Sequence, residues 1–540
     1  MARDLKADQE LLRQVLSLAQ NRDHQRAAAL AEQALAEGFE HPLLLNVAAT
    51  RREEQGRLEE ALTLLERGVA LAPADVPVRN ALALVLQRLE RPQEALEHLE
   101  VILAQHPQLP FVHASKGNAL IALGSLGLAQ ASHQRALELD PDNLAAMGSL
   151  ASIATHRGEH LVARRWAERL LARVPGFPDA VLSLAAADLA GGAASQAESA
   201  LRALLADARA GATDRARAHG LLGDVLDALG RYREAFEAYR AGNELTRQLY
   251  ARFAEPSLLT YATRLVGAFA AVAPRWPTTV APARTGDAPA QHVLLIGFPR
   301  SGTTLLEVIL DGHPGVVSLE EHDLFAEGVR QYLHNATDLR ALADASEAEL
   351  QALRADYWRR VRAGGAEVGG KVFLDKHPLN TLKLPLIARL FPQAKILFAR
   401  RDPRDVVLSC FRRRFRMNPA MYQMLTLASA AQLYDATMDL AQRAQGVLGL
   451  AWQDVRYERL MADFAGESRR ICEFIGIQWT PGMSEFAGRV QSRENATPST
   501  AQLARGLDRS GVGHWRHYRE HIAPLEPVLA RWIALYGVAS

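Results

Sequence analysis

The sequence predicts a multidomain chain: an all-α helical repeat array over residues 1–250, then an α/β domain with a mainly parallel sheet over residues 291–540. Three observations carry this. Alanine recurs at Ala27, Ala61, Ala95, Ala129, Ala163 and Ala197, a constant step of 34 residues. The first 250 residues hold almost no β-branched runs and no strand signals. The stretch His292–Asp311, HVLLIGFPRSGTTLLEVILD, passes from a short aliphatic run through a Gly-bearing turn into helical spacing, as a strand–turn–helix unit does.

Other residue types keep the same step: Pro73, Pro107, Pro141 and Pro175, and Gly124, Gly158 and Gly192 with Gly56 in phase. Small alanines let two helices approach, glycine serves the turn between them, and proline stops the second helix. A 34-residue helix–turn–helix period is that of tetratricopeptide repeats. About six or seven units are expected. The last, marked by Gly223, Gly230 and Ala235, is shifted by four residues, which places an insertion near Ala208–Ala212. Such a solenoid binds an extended peptide or a protein partner in its groove, or self-associates, so a homodimer is also open. His106, His113, His133 and His156 are scattered and read as packing or solvated groups.

From Arg252 the character changes. A helix around Leu258–Val272 leads into Pro274, Pro277, Pro282 and Pro289, so residues 251–290 read as a helical segment and a Pro-rich linker, Pro274–Ala290. Across 540 residues the charged fraction is 23% and the net charge is +1, which argues against a field that recruits nucleic acid or anionic membrane. Cys410 and Cys472 are far apart, so neither a disulfide framework nor a zinc–thiolate site is expected, and a reducing compartment fits. The first residues, MARDLKADQELLRQ, are charged throughout, and no run of 18 uncharged apolar residues occurs; the expectation is a cytoplasmic protein with no membrane association. No metal-binding spacing is present, so no metal is expected.

In the strand–turn–helix unit, Gly297 and Gly302 stand where the glycines of a G-x-x-x-x-G-K-[ST] phosphate loop belong, and Thr304 where its Ser/Thr belongs. Thr303 replaces the lysine that neutralises a triphosphate, which argues against ATP or GTP chemistry and makes a kinase the weakest reading. The loop still offers backbone N–H groups and a positive helix end to a phosphate-like anion, with Arg300 as cation.

The motif P-R-S-G-T-T-L after a strand resembles the 5′-phosphosulfate loop of sulfotransferases that use 3′-phosphoadenosine-5′-phosphosulfate (PAPS). The match runs from about residue 290 to 520 and is most similar to the tyrosylprotein sulfotransferases and the bacterial sulfotransferases with tetratricopeptide repeats. The resemblance implies that Arg300, Ser301, Gly302, Thr303 and Thr304 hold the phosphosulfate. After the apolar run Val316–Leu319 come Glu320 and Glu321, and it implies Glu321 as the catalytic base, with His322 the runner-up. A carboxylate near pKa 4 cannot deprotonate a phenol of pKa about 10 beforehand, but it can take the proton as the S–O bond forms, and better if desolvation raises it. Lys376, closing the strand pattern at Lys371–Asp375 ahead of a turn and a helix through Leu379–Leu390, matches the family's lysine on the leaving-group oxygen; His377 is explained by the turn.

Farther on, a strand ends at Arg400, Asp402 is placed to cap a helix, and Pro403 suits its first turn. Arg401 and Ser409 match the family's 3′-phosphate ligands, and Arg413, one helical turn past Ser409, a further PAPS-binding arginine. Arg412, Arg414 and Arg416 read as solvated. Tyr457 resembles a cofactor-contacting tyrosine after an apolar run Val447–Trp452. Ser499, Thr500 and Arg505 resemble contacts in the segment that closes over adenosine. His514 stands where the family usually has lysine or arginine. The reading is a PAPS-dependent sulfotransferase releasing adenosine-3′,5′-bisphosphate, with catalytic Arg300, Glu321 and Lys376. The favoured acceptor is a peptide tyrosine, the alternatives are a carbohydrate or small-molecule hydroxyl, and the rival of another class is a non-catalytic scaffold.

Overall fold

The structure, a computed structural model, describes residues 5–21, 23–255, 257–277, 289–485, 489, 507 and 509–536. The chain divides into two compact units, Met1–Leu184 and Ala185–Ser540. The sequence places its boundary at 251–290; the compact units instead part inside the helix Pro178–Ala190, and the repeat helices after it belong to the strand-bearing unit.

The repeat helices fall in seven pairs: α1 (Leu5–Gln20) with α2 (His24–Ala36), α3 (Pro42–Glu54) with α4 (Leu58–Leu71), α5 (Val76–Arg88) with α6 (Pro92–Gln105), α7 (Pro110–Ala122) with α8 (Leu126–Leu139), α9 (Leu144–His156) with α10 (His160–Leu171), α11 (Pro178–Ala190) with α12 (Ala194–Ala206), and α13 (Ala212–Ala228) with α14 (Tyr232–Leu249). The periodic alanines Ala27, Ala61, Ala95, Ala129, Ala163 and Ala197 are all fully buried on the second helix of their pair. The expected insertion is visible as the turn between α12 and the longer helices α13 and α14.

The periodic glycines have a geometric cause. Gly56, Gly124 and Gly158 sit at φ +75°, +82° and +72°, just past the first helix of each pair. The residue after each donates back to the final turn, as Ser125 N does to Leu120 O at 2.9 Å. At the equivalent position of α5 the residue is Glu90, with φ +60° and the same bond, Arg91 N to Leu86 O at 2.9 Å. A side chain in the left-handed region costs roughly 1 kcal/mol. Glu90→Gly is therefore expected to stabilise the first unit by about 1 kcal/mol in a denaturation measurement, with Glu90→Ala near neutral.

His133 is fully buried on α8. Neither ring nitrogen has a hydrogen-bond partner among the described residues. It fits because residue 117 is glycine, where an added Cβ would meet His133 Nε2 at 2.4 Å. Burial pushes the imidazole down to about 4. Its neutral form is favoured by folding, so the contribution is complete above the unfolded pKa near 6.5 and is lost as pH falls towards 4. The wild type is expected to lose about 2 kcal/mol between pH 7 and pH 5 from this group, and His133→Leu to flatten that part of the thermal-stability profile.

In the second unit α15 (Leu258–Val272) precedes a sheet of five parallel strands in the order β2-β3-β1-β4-β5. They are β1 (Gln291–Ile296), β2 (Val316–Glu320), β3 (Val372–Lys376), β4 (Lys395–Arg400) and β5 (Ala451–Arg456). Helix α16 (Thr303–Leu310) follows β1, and α17 (Ala326–Tyr332), α18 (Ala336–Asp344) and α19 (Glu347–Ala363) lie between β2 and β3. Then come α20 (Leu384–Leu390), α21 (Pro403–Arg412), α22 (Pro419–Tyr422), α23 (Leu427–Val447), α24 (Tyr457–Ala462) and α25 (Phe464–Ile475). Val293, Leu294, Leu295 and Ile296 are fully buried, as a central parallel strand covered on both faces requires. On one face Leu305, Leu306 and Ile309 of α16 join Ile471 and Ile475 of α25 over Leu295, Leu374 and Leu397. The segment Ala251–Arg275 is long and apolar enough to cross a membrane by length and composition alone. Within it α15 buries Ala262, Leu265, Phe269 and Val272, and it packs against α18 and α23.

Three local expectations are corrected. The helix through Leu379–Leu390 is split into a 3₁₀ segment, Pro378–Lys383, and α20, because Pro385 has no N–H for the carbonyl of Thr381. The apolar run from Val447 closes α23 and turns before β5, so Tyr457 opens α24. Helix α21 ends at Arg412, and Arg413 is extended at φ −94°, ψ 139° rather than one turn along the same helix.

Candidate functional site

The residues singled out by the sequence gather at the carboxyl ends of the strands, the side on which open parallel sheets bind ligands. The loop 297–302 follows β1, Glu321 follows β2, Lys376 ends β3, Arg401 follows β4 and Tyr457 follows β5. Helix α21 is capped by Asp402, and α23 and α25 by Thr426 and Asp463, but α16 has no side-chain cap. Its first turn, with Thr303 and Thr304 buried, leaves backbone donors for an anion. Ser301 is buried beside them. Gly302 opens α16 at φ +99°, and an added Cβ there would meet the Tyr457 ring at 2.7 Å. The Gly297 peptide is held from both sides by Thr381, whose hydroxyl donates to Gly297 O at 2.7 Å and accepts from Gly297 N at 3.1 Å.

Behind this loop is a cavity of about 180 Å³ lined by Arg300, Arg401, Ser409 and Arg413, together with Arg412, Asp227, Asp405 and His514. Arg300 Nε donates to Ser409 Oγ at 3.0 Å, and Arg401 donates to Arg300 O at 3.1 Å and to Gly511 O. Arg401 also lies over the Tyr457 ring, 4.7 Å from its centroid. Arg401 Nε is buried with no hydrogen-bond partner, and the Arg413 guanidinium forms no ion pair among the described residues. Burial, then the nearby charges of Arg413 and Arg401, push Arg300 down to about 9; burial also lowers Arg413. Guanidinium groups that crowd one another around a hollow favour an anion carrying more than one charge. Ser499, Thr500 and Arg505 lie outside the described residues.

The second feature is an ion cluster. Lys376 Nζ is fully buried and lies 2.7 Å from Glu320 Oε1, 2.9 Å from Glu321 Oε1 and 3.4 Å from Glu307 Oε2. Burial alone would lower its pKa, but these carboxylates override that and hold the ammonium above its usual range. The same contact governs Glu321. Burial would raise its pKa, yet Lys376 outweighs this and holds the carboxyl below its ordinary value, so the rise that would make it a better base is absent. Glu321 remains half exposed, at 48%, while Glu320 is 12% and Glu307 1% exposed. Backbone geometry fixes it: Glu321 N donates to Lys376 O at 2.8 Å, and Glu321 sits at φ +52°. With Arg300 at φ +69°, two of the three described non-glycine residues at positive φ stand in this site. His322 is turned onto the Glu320 carbonyl, and His377 is pushed down to about 4 by burial.

Glu307, Asp405 and Asp227 were not legible. Glu307 is one acid in an apolar helix face, and that isolation was the available signal. Asp405 accepts from Gly513 N at 2.7 Å and Trp515 N at 2.9 Å, so it pins the turn over the cavity to α21. Arg412 is corrected: it pairs with Asp227 of α13 at 2.9 Å, because the last repeat packs directly on the end of α21, whereas Arg414 stays exposed while it reaches Asp224 at 3.4 Å.

Comparison with known proteins agrees with the two kinds of fold. The sulfotransferase family matches residues 292–481, and tetratricopeptide repeat families match residues 53–118, 115–178 and 216–249. An uncharacterized protein of Aquifex aeolicus is 25% identical over 326 residues, spanning 58% of this chain and 41% of its own length. Protein-tyrosine sulfotransferase A of Caenorhabditis elegans is 25% identical over 253 residues, 41% of this chain and 60% of its own. Protein-tyrosine sulfotransferase 2 of Gallus gallus is 24% identical over 254 residues, 44% and 68%. The chain thus spans about half the length of the first two relatives. Among solved structures, a tetratricopeptide repeat protein from Parabacteroides merdae is 18% identical, with a TM-score of 0.36, over 44% of this chain and 92% of its own.

Proposed function

We propose that this chain, which carries a sulfotransferase-family domain behind tetratricopeptide repeats, moves a sulfuryl group from PAPS to the hydroxyl of a peptide or protein tyrosine. The observation that carries the reading is the meeting, at one sheet end, of an uncapped helix, a cavity ringed by Arg300, Arg401 and Arg413, and the Lys376–Glu321 pair. The names of the relatives and the adjacent Glu320 and Glu321 support the tyrosine acceptor.

The residues fit the donor. The orphaned Arg401 Nε, Arg413 and Ser409 offer a forked set of donors to a 3′-phosphate. Residues 300–304 would hold the phosphosulfate. PAPS supplies an activated sulfuryl group whose S–O bond to phosphate breaks as the bond to the acceptor oxygen forms. Glu321, half exposed where an acceptor can reach it, takes the phenol proton. Lys376 is a cation at the same point; as it turns from Glu321 towards the departing oxygen, it offsets the new charge there and lets Glu321 become a stronger base. The repeat array holds the substrate chain or a partner.

The test is transfer from sulfur-labelled PAPS to a panel of tyrosine peptides and glycans. Label on tyrosine supports the reading; label on glycans alone removes the peptide acceptor; no transfer by a chain that binds nucleotide favours the scaffold.

A further inference from the structure

Asp227 belongs to the last repeat, on α13, yet it lines the arginine cavity. Its side chain is only 14% exposed. It accepts from Arg412 at 2.9 Å, from His514 Nε2 at 3.0 Å and from the Tyr518 hydroxyl. Of these groups, Arg412 and His514 themselves line the cavity. Arg412 immediately precedes Arg413. His514 sits in the turn whose Gly511 carbonyl receives Arg401. The same turn is tied to α21 by Asp405, and Arg404 lies over Trp515 at 3.8 Å. Burial alone would raise the Asp227 pKa, but donation by His514 and Tyr518 and the charge of Arg412 bring it down to about 2, so the anion is permanent.

We propose that Asp227 is a positioning residue of the donor site: it fixes Arg412 and the 511–518 turn, and through them Arg413 and Arg401. The last repeat is then a wall of that site and not only a surface for partners. This rests on reading the cavity as the place of the donor's 3′-phosphate. A built-in control stands one helical turn away. Asp224, also on α13, accepts from Tyr239 OH at 2.9 Å and pairs with Arg414, but it is not among the cavity-lining residues. Both aspartates hold an arginine that flanks Arg413; only Asp227 also lines the cavity and holds the turn through His514 and Tyr518.

The experiment is calorimetric titration of the full chain with adenosine-3′,5′-bisphosphate and with ADP, on wild type, Asp227→Asn, Asp224→Asn and Tyr518→Phe, with thermal unfolding of each. Asp227→Asn is expected to weaken adenosine-3′,5′-bisphosphate binding at least about tenfold and to reduce its preference over ADP, while Asp224→Asn stays within about threefold. Tyr518→Phe removes one donor to Asp227 and is expected to give a smaller loss of the same kind, which decides the matter should Asp227→Asn not fold. Equal weakening by both aspartate variants, or wild-type affinity in Asp227→Asn, would overturn the proposal while leaving the donor-site reading intact. A wild type that binds neither nucleotide would overturn both.

Discussion

Lys376→Met is expected to lower the stability of the second unit by about 3–5 kcal/mol and to remove detectable sulfuryl transfer. The side chain is fully buried, and its ammonium is the charge on which Glu307, Glu320 and Glu321 converge. Removing one partner of a buried ionic cluster leaves the others uncompensated, which is far more damaging than losing an exposed pair. Glu307 is the most deeply buried of the three, so Glu307→Gln in the Lys376→Met background is expected to return part of the stability but none of the transfer. Thermal unfolding beside a labelled-sulfate assay separates the two. A stable, active Lys376→Met would show that the lysine is neither a structural nor a chemical centre.

Glu321→Gln is expected to reduce kcat by about 10²–10⁴-fold and to leave affinity for adenosine-3′,5′-bisphosphate unchanged, because the proposed role of Glu321 is to take the acceptor proton. It is also expected to fold, since its side chain is half exposed and its backbone bond to Lys376 O survives the change. The pH dependence follows from the direction of its shift. Lys376 holds the carboxyl below its ordinary range, so the base stays ionised until the pH falls below that range. The acid limb of the wild-type rate should therefore lie lower than a free carboxylate would place it, and Glu321→Gln should lack it. An acid limb near neutrality would point to a histidine, with His322 as the group to vary.

What the sequence disclosed was mostly local. The strand-loop-helix at 292–311 is one continuous stretch, so Gly302, Thr303 and Thr304 declare their conformation through spacing alone. The 34-residue period is legible for the same reason, because each repeat buries the same alanine against its own partner helix. Lys376 and Glu321 stood out through resemblance, but their mutual contact did not. That contact follows from the register of β2 on β3, which sets Glu320 opposite Lys376. Arg412 read as solvated because its partner Asp227 lies in the repeat array. Nothing in the sequence near either residue announces the pairing. The direction of the Glu321 shift was out of reach for a similar reason: the adjacent buried ammonium that sets it could not be read from the sequence.

The most direct measurement is calorimetric titration of the intact wild-type chain with adenosine-3′,5′-bisphosphate, using ADP as the comparison and Arg401→Ala as the blank. Binding of the first at least about tenfold tighter than the second, with the difference lost in Arg401→Ala, is the result expected of a cavity built around a 3′-phosphate. ADP binding equally well or better would contradict the assignment and return the loop after β1 to ordinary nucleotide binding.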